Sequence, residues 1–182
     1  MDILAHGLWG GALSKAIKNK KPGLKLKFWQ AAFWGMFPDL FAFTVPFLGL
    51  LFSIVTGRTH LSDFPTPKTP PAVANDRFPL FQLAATLYNY SHSFVMFGLV
   101  VLLLWLWKKK FYYVLLGWPL HILFDIPTHT AEFYPTPIFW PVSHWEFTHG
   151  FSWGEPWFMV LNYSLLIIVY VSLYRRDKKR AG

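Results

Sequence analysis

The sequence has no cysteine and few charged residues. Among its 182 residues, 14% are charged and none is cysteine. The absence of cysteine excludes disulfide bonds, thiolate metal ligands and a cysteine nucleophile. The low charge content departs from that of an ordinary soluble domain, since 54% of the residues are hydrophobic and 20% are aromatic. The composition therefore predicts an all-α integral membrane protein in which residues 1–182 form a single domain.

Five apolar stretches predict the membrane segments of a helical bundle. Residues 28–55, 90–107 and 157–174 approach or exceed the roughly 20 residues that a helix needs to cross a bilayer. Residues 111–127 form a shorter fourth stretch. The fifth, residues 2–17, is rich in glycine and alanine, which suits close packing against other membrane helices. No basic start precedes this stretch, so we expect no cleaved signal peptide.

The basic residues occur in three blocks at the ends of the apolar stretches. Residues 15–27, 108–110 and 175–180 hold 14 of the 17 Lys and Arg residues. The positive-inside rule places these blocks in the cytoplasm and residues 56–87 and 128–156 on the opposite side. We therefore predict a bacterial- or archaeal-type cytoplasmic (inner) membrane. The net charge of +8 also suits nucleic acid, but topology explains the blocks better, and we expect no nucleic acid partner.

Ionisable side chains recur within the apolar stretches at one predicted depth. His121 and Asp125 are four residues apart, so both lie on one face of a helix. At about 1.5 Å per residue, Asp39, His92, His121 and Asp125 lie roughly 16 to 24 Å from the nearest cytoplasmic basic residue. His6 shares this level if the first segment crosses the membrane. Ionisable groups at membrane depth usually mark functional sites. We predict that these five residues form one site on the extracytoplasmic side.

The chemistry of this residue set predicts a metal site. Imidazole and carboxylate ligands without sulfur suit zinc, with manganese or iron as alternatives. The predicted ligands are His6, Asp39, His92, His121 and Asp125. Five ligands exceed the four of a tetrahedral zinc, so we expect up to two ions with Asp125 as the bridge. Paired metals activate water for phosphoester displacement, and the depth predicts a lipid or lipid-linked substrate.

Further residues are assigned supporting roles. We expect Asp39 or a neighbouring carboxylate to accept the proton of the attacking water. His129 and Glu132 are candidates for proton transfer. The predicted substrate-binding residues are Ser91, Ser93 and His149.

Several short motifs occur in an order that resembles a known family. They are Met1-Asp2-x-x-x-His6, Pro38-Asp39, Ser91-His92-Ser93, His121-Ile-Leu-Phe-Asp125, Pro135-Thr136-Pro137 and Phe139-Trp140-Pro141. Together they resemble the LexA-regulated, inner-membrane, metal-dependent hydrolases. The sequence departs from that pattern at Leu40-Phe41-Ala42 and at Tyr88-Asn89-Tyr90. The resemblance implies a membrane hydrolase that uses a divalent metal.

A looser resemblance concerns the order of the ligands. The order His, Asp, His, then His-x-x-x-Asp is similar to that of zinc-dependent phospholipase C and related single-strand nucleases. This similarity implies that one metal is held by Asp39, His92, His121 and Asp125. It implies a second metal held by Asp125 and His6.

Two other interpretations of the same residues remain open. A metal ion or proton transporter would use the ligands as a transit site, although residues 99–107 and 111–116 offer no polar path to the cytoplasm. In a non-catalytic scaffold, His121 and Asp125 would form an interhelical hydrogen-bonded pair. Asp39 would then cap a helix that begins after Pro38.

Overall fold

A computed structural model describes residues 1–21, 23–58 and 79–181 of the chain. Within these ranges the chain forms six α-helices and a short 3-10 helix, with no β-strand beyond an isolated bridge between Thr130 and Phe133. The helices are α1 (Ile3–Lys20), α2 (Phe28–Val55), α3 (Pro79–Ser91), α4 (Phe94–Lys108), α5 (Gly117–Thr128) and α6 (Pro156–Ala181), and the 3-10 helix is Tyr113–Leu116. The predicted all-α fold is confirmed for the described part of the chain.

The structure contains fewer candidate membrane spans than predicted. Helix α2 and residues Pro156–Lys179 of α6 are long and apolar enough to cross a membrane. Helices α3 and α4 add a third span if the bent pair is counted as one. The prediction of about five membrane segments is not confirmed. Helix α5 has 12 residues, so it is roughly 18 Å long, against a hydrocarbon core about 30 Å thick.

Small residues bring the backbones of α1 and α2 into contact. A Cβ atom added at Gly10 would lie 2.6 Å from the carbonyl oxygen of Ala31, and one at Gly35 would overlap the carbonyl of His6. Gly117 at the start of α5 is equally tight, since its Cβ would lie 2.7 Å from the Gly35 nitrogen. These glycines therefore allow α1, α2 and α5 to meet where the site residues lie, as the glycine-rich first segment predicts.

Hydrogen bonds attach the first half of α1 to α6. Asp2 caps α1, because its Oδ1 accepts a hydrogen bond from the Ala5 amide at 3.0 Å and another from the Tyr163 hydroxyl at 2.9 Å. Further along, Trp9 Nε1 donates to Asn162 Oδ1 at 2.9 Å. These bonds hold the first turns of α1 against α6, and so fix the position of His6.

A break between α3 and α4 places His92 in the interior. The two helices meet at an angle of 60°. Ser93 begins α4, because its Oγ accepts hydrogen bonds from the amides of Val95 and Met96 at 3.1 and 3.4 Å. The sequence pattern predicts one continuous segment over residues 90–107 and a loop up to residue 87. The structure corrects both: α3 already begins at Pro79, and the chain bends at His92. Residues 59–78 of the predicted loop lie outside the described residues.

The segment between α5 and α6 folds back over the ends of the helices. The Phe94 amide donates to the Ile138 carbonyl at 2.9 Å, and the Phe151 and Trp153 amides donate to the carbonyls of Pro127 and Thr128, both at 3.0 Å. These bonds hold the segment against the end of α5. As a result, His129 at the start of the segment is buried beside Asp125.

Candidate metal centre

Four predicted ligands converge in the structure. Asp39 comes from α2, His92 from the break between α3 and α4, and His121 and Asp125 from α5. Their ligand atoms all lie within 4.8 Å of one another. We call these four residues the His/Asp cluster. The sequence-based prediction that distant segments deliver these side chains to one place is confirmed for Asp39, His92, His121 and Asp125.

The five distances that involve a histidine of the His/Asp cluster are close to those of a tetrahedral metal site. His121 Nε2 lies 3.0 Å from His92 Nε2, 2.9 Å from Asp125 Oδ2 and 3.6 Å from Asp39 Oδ1. His92 Nε2 lies 3.4 Å from Asp125 Oδ2 and 3.5 Å from Asp39 Oδ1. Zinc bonds of about 2.0 to 2.1 Å in tetrahedral geometry put the ligands about 3.3 Å apart. A cation at the centre therefore fits without rearrangement of the backbone.

Hydrogen bonds on the outer ring nitrogens fix the histidine orientations. His121 Nδ1 donates to the carbonyl oxygen of Gly35 at 2.7 Å. His92 Nδ1 lies 3.2 Å from the Tyr88 carbonyl, to which only a protonated nitrogen can bond, and 2.9 Å from Ser91 Oγ. With Nδ1 as the donor, each ring has its Nε2 facing the other ligands. A carbonyl on the far nitrogen is the usual support of a metal-bound imidazole.

The second carboxylate oxygen of Asp125 faces a different set of groups. Its Oδ1 lies 2.9 Å from His6 Nε2, 3.6 Å from His129 Nε2 and 2.5 Å from the Met1 amino group. The His6 ring also stacks on His121, with ring centroids 3.5 Å apart. Asp125 thus faces the two cluster histidines through Oδ2 and a second set of groups, including His6, through Oδ1. A bridging carboxylate requires such an arrangement. His6 lies beside the four-residue cluster rather than within it.

Burial makes the negative charges of Asp39 and Asp125 energetically unfavourable unless a positive charge lies beside them. The side chains of His92 and His121 are fully buried and that of Asp125 is 1% exposed, whereas Asp39 is 13% exposed. The Met1 ammonium compensates one of the two carboxylates. Buried ionised carboxylates need paired charges or metal ions. The four side chains could therefore hold a metal ion between them.

A second layer of polar side chains surrounds His129. Its Nδ1 donates to the Tyr134 carbonyl at 2.7 Å and lies 2.9 Å from the hydroxyl of Tyr88, so Nε2 is directed to Asp125. The Tyr88 ring is buried and stacks on His92 at 3.6 Å between centroids. Burial raises the pKa of Tyr134 to about 12, which keeps its phenol neutral. Tyr88 belongs to a stretch of the sequence that departs from the family pattern, and it is not among the predicted site residues.

The other predicted site residues occupy different environments. Ser91 and Ser93 are buried, and Ser93 donates to the Trp140 carbonyl at 2.6 Å while it caps α4. Ser91 supports His92, as described above. Glu132 and His149 are exposed in the segment between α5 and α6. The contacts of the two serines are internal to the protein, and their substrate-binding role stays a prediction, as do the roles of Glu132 and His149.

Comparisons of the chain with family models, with curated proteins and with solved structures give no match. The resemblance to the LexA-regulated membrane hydrolases therefore stays an expectation from the motifs.

Proposed function

We propose that the protein is a membrane-embedded, metal-dependent hydrolase that cleaves a phosphoester in a lipid or lipid-linked substrate. The observation that carries the proposal is the convergence of Asp39, His92, His121 and Asp125, whose five histidine–histidine and histidine–carboxylate distances lie between 2.9 and 3.6 Å. A divalent cation held by these residues, with zinc as the first choice, would lower the pKa of bound water to about 7 and would polarise a phosphoryl oxygen. Three further features of the protein bear on the proton acceptor, on a second cation and on the substrate.

The first is a partly accessible carboxylate. Asp39 is the most exposed member of the His/Asp cluster, so an entering substrate and water meet its carboxylate first. Asp39 is therefore positioned to accept the proton of the attacking water as a general base.

The second feature is the set of groups around Asp125 Oδ1. His6 and His129 both direct Nε2 toward this oxygen, and His6 Nδ1 has no hydrogen-bond partner among the described residues. We propose that this side holds a second cation, which would displace the Met1 ammonium from Asp125 Oδ1, with Asp125 as the bridge and His6 as a ligand. Two cations would hold both oxygens of a phosphoester displacement.

The third feature is the apolar surrounding of the site. Helix α2, which carries Asp39, is long and apolar enough to cross a membrane, and its outward surface is rich in exposed leucine and phenylalanine. A substrate that reaches Asp39 along this helix is therefore a membrane lipid or a lipid-linked molecule. The basic blocks support a cytoplasmic membrane with the site on the extracytoplasmic side.

Transport is the alternative that uses the same ligands. A transit site needs polar side chains that lead from the ligands to each face of the membrane. Helix α4 has no charged, hydroxyl or amide side chain between Phe94 and Trp107, so it offers no such path to the cytoplasm. The geometry therefore favours hydrolysis over metal or proton transport.

The proposal predicts turnover that depends on bound metal. In detergent, the zinc-loaded protein should hydrolyse bis(p-nitrophenyl) phosphate or a phosphatidyl phosphodiester. Chelation should abolish this activity, and added zinc should restore it. His121→Ala should lower kcat/KM about a thousandfold, or roughly 4 kcal/mol of transition-state stabilisation. The measurement is product release by phosphorus NMR.

Glu155→Gln is the matched control, because Glu155 is an exposed carboxylate outside the cluster. It should retain wild-type turnover. Tight metal binding without hydrolysis of either phosphodiester would contradict the proposal, and zinc uptake by protein-containing liposomes in the same preparation would favour the transporter.

A further inference from the structure

An apolar cavity of about 480 Å³ begins at the His/Asp cluster. One wall is a stripe of α2 formed by Leu40, Thr44 and Leu48, with Phe43 and Phe47 beside it. The spacing of four residues places the first three side chains on one face of the helix. Ile3, Phe133 and Trp153 line it as well. We call this space the α2 cavity.

The ionisable side chains that line the α2 cavity are Asp39, His129 and Asp2. Asp2 is held at the start of α1 by the Ala5 amide and the Tyr163 hydroxyl. Asp39 and His129 connect the cavity to the metal site. Asp39 belongs to the His/Asp cluster, and His129 Nε2 lies 3.6 Å from Asp125 Oδ1. Because Asp39 is the cluster member that is most exposed, the cavity is the approach to the cluster. From Asp39 to Leu48 the helix rises about 13 Å, which gives the cavity an elongated apolar wall.

The cavity is open along its length. Phe47 and Leu48 are 61% and 60% exposed, although they line it. Both lie in α2, which qualifies as a membrane span. In a bilayer this opening faces hydrocarbon, so that a chain can enter sideways from the membrane while its polar group meets Asp39.

We propose that the α2 cavity holds one hydrocarbon chain of an amphiphilic substrate, with the phosphoryl group of that substrate at Asp39. The occupant is a lipid chain, because the wall is apolar, elongated and open toward the membrane, and because Asp39 and His129 connect the cavity to the cluster. The identity of the polar group depends on the proposed hydrolase function. The site for the chain does not, and it can be tested separately.

Photolabelling tests the chain site without requiring turnover. The probe is a dodecyl phosphonate with a diazirine at the end of its chain, added to the zinc-loaded full-length protein in phosphatidylcholine nanodiscs. After irradiation, peptide mass spectrometry locates the label. We expect labelling concentrated on the cavity-lining residues of α2 and on the peptide that contains Phe133.

Cavity-filling variants have matched controls on the same helix. Thr44→Trp and Leu48→Trp place an indole in the cavity, whereas Val45→Trp and Leu51→Trp change residues that are 54% and 57% exposed and do not line it. Labelling should fall about tenfold in the first pair. This is roughly the loss in affinity expected if the indole keeps two methylene groups of the probe out of the apolar cavity. It should be unchanged in the second pair. Retained zinc shows that each variant is folded.

The outcomes separate the chain site from the hydrolase proposal. Equal labelling of the cavity and of the outward surface of α6, or an equal loss in filling and control variants, overturns the chain site even if phosphodiesters are hydrolysed. Selective cavity labelling in a protein without hydrolytic activity retains the chain site and rejects the hydrolase. If either Thr44→Trp or Leu48→Trp loses zinc, the labelling of the other filling variant decides the test.

Discussion

Asp125→Asn should weaken zinc binding at least a hundredfold while the protein remains folded. The substitution keeps the size of the side chain but removes the negative charge that faces His6, His92 and His121. Changes to groups that only support a metal ligand typically cost 10- to 100-fold in affinity, so loss of a ligand charge should cost more. Competition with a zinc indicator at fixed pH measures the effect.

Two comparisons make this result specific. Glu155→Gln removes one negative charge from an exposed position and should leave zinc affinity unchanged. Asp39→Asn should also weaken zinc binding, since its Oδ1 lies 3.5 and 3.6 Å from the two histidine nitrogens. Wild-type zinc affinity in Asp125→Asn would show that the cluster is a hydrogen-bonded network and not a metal site.

The second large effect should come from Gly35→Ala. The added Cβ would overlap the carbonyl of His6 and would lie 3.5 Å from the Gly10 Cα. Helices α1 and α2 must then separate, and overpacking of this kind costs about 1 to 3 kcal/mol. The Gly35 carbonyl also accepts the hydrogen bond of His121 Nδ1, so the shift should disturb the metal ligand. We expect a lower Tm together with weaker zinc binding.

Gly98→Ala is the control for this substitution. Gly98 lies within α4, and among the described residues no atom beyond its chain neighbours and the adjacent α4 backbone lies within 4 Å of an added Cβ. Alanine is favoured over glycine inside a helix by about 1 kcal/mol. This variant should therefore keep or raise the Tm. Equal Tm values for the two variants would contradict the close contact of α1 with α2.

The part of the site that the sequence could predict depends on local geometry and depth. The spacing of His121 and Asp125 places both on one face of α5, whatever the rest of the fold does. Asp39 and His92 were predicted from their distance to the basic residues that flank each segment. Helix dimensions and the positions of the basic residues are sufficient to predict these four residues. The structure confirms that all four meet.

The remaining features depend on packing that a sequence pattern does not reveal. The apolar run around Phe94 does not show that the chain bends at His92, because the bend arises where Ser93 caps a new helix. Tyr88 gave no signal as a site residue, since tyrosines are common in this sequence and its contact with His129 crosses 41 positions. The number of spans was predicted from hydropathy, which does not show how short α5 is.

X-ray absorption spectroscopy of the zinc-loaded protein in nanodiscs measures the ligands of the proposed metal site. We expect a first shell of nitrogen and oxygen only, with bonds of about 2.0 to 2.2 Å and the outer-shell scattering of imidazole. His121→Ala should reduce that imidazole scattering. A first shell made only of water oxygens, or a spectrum that is the same for the wild type and His121→Ala, would contradict the account.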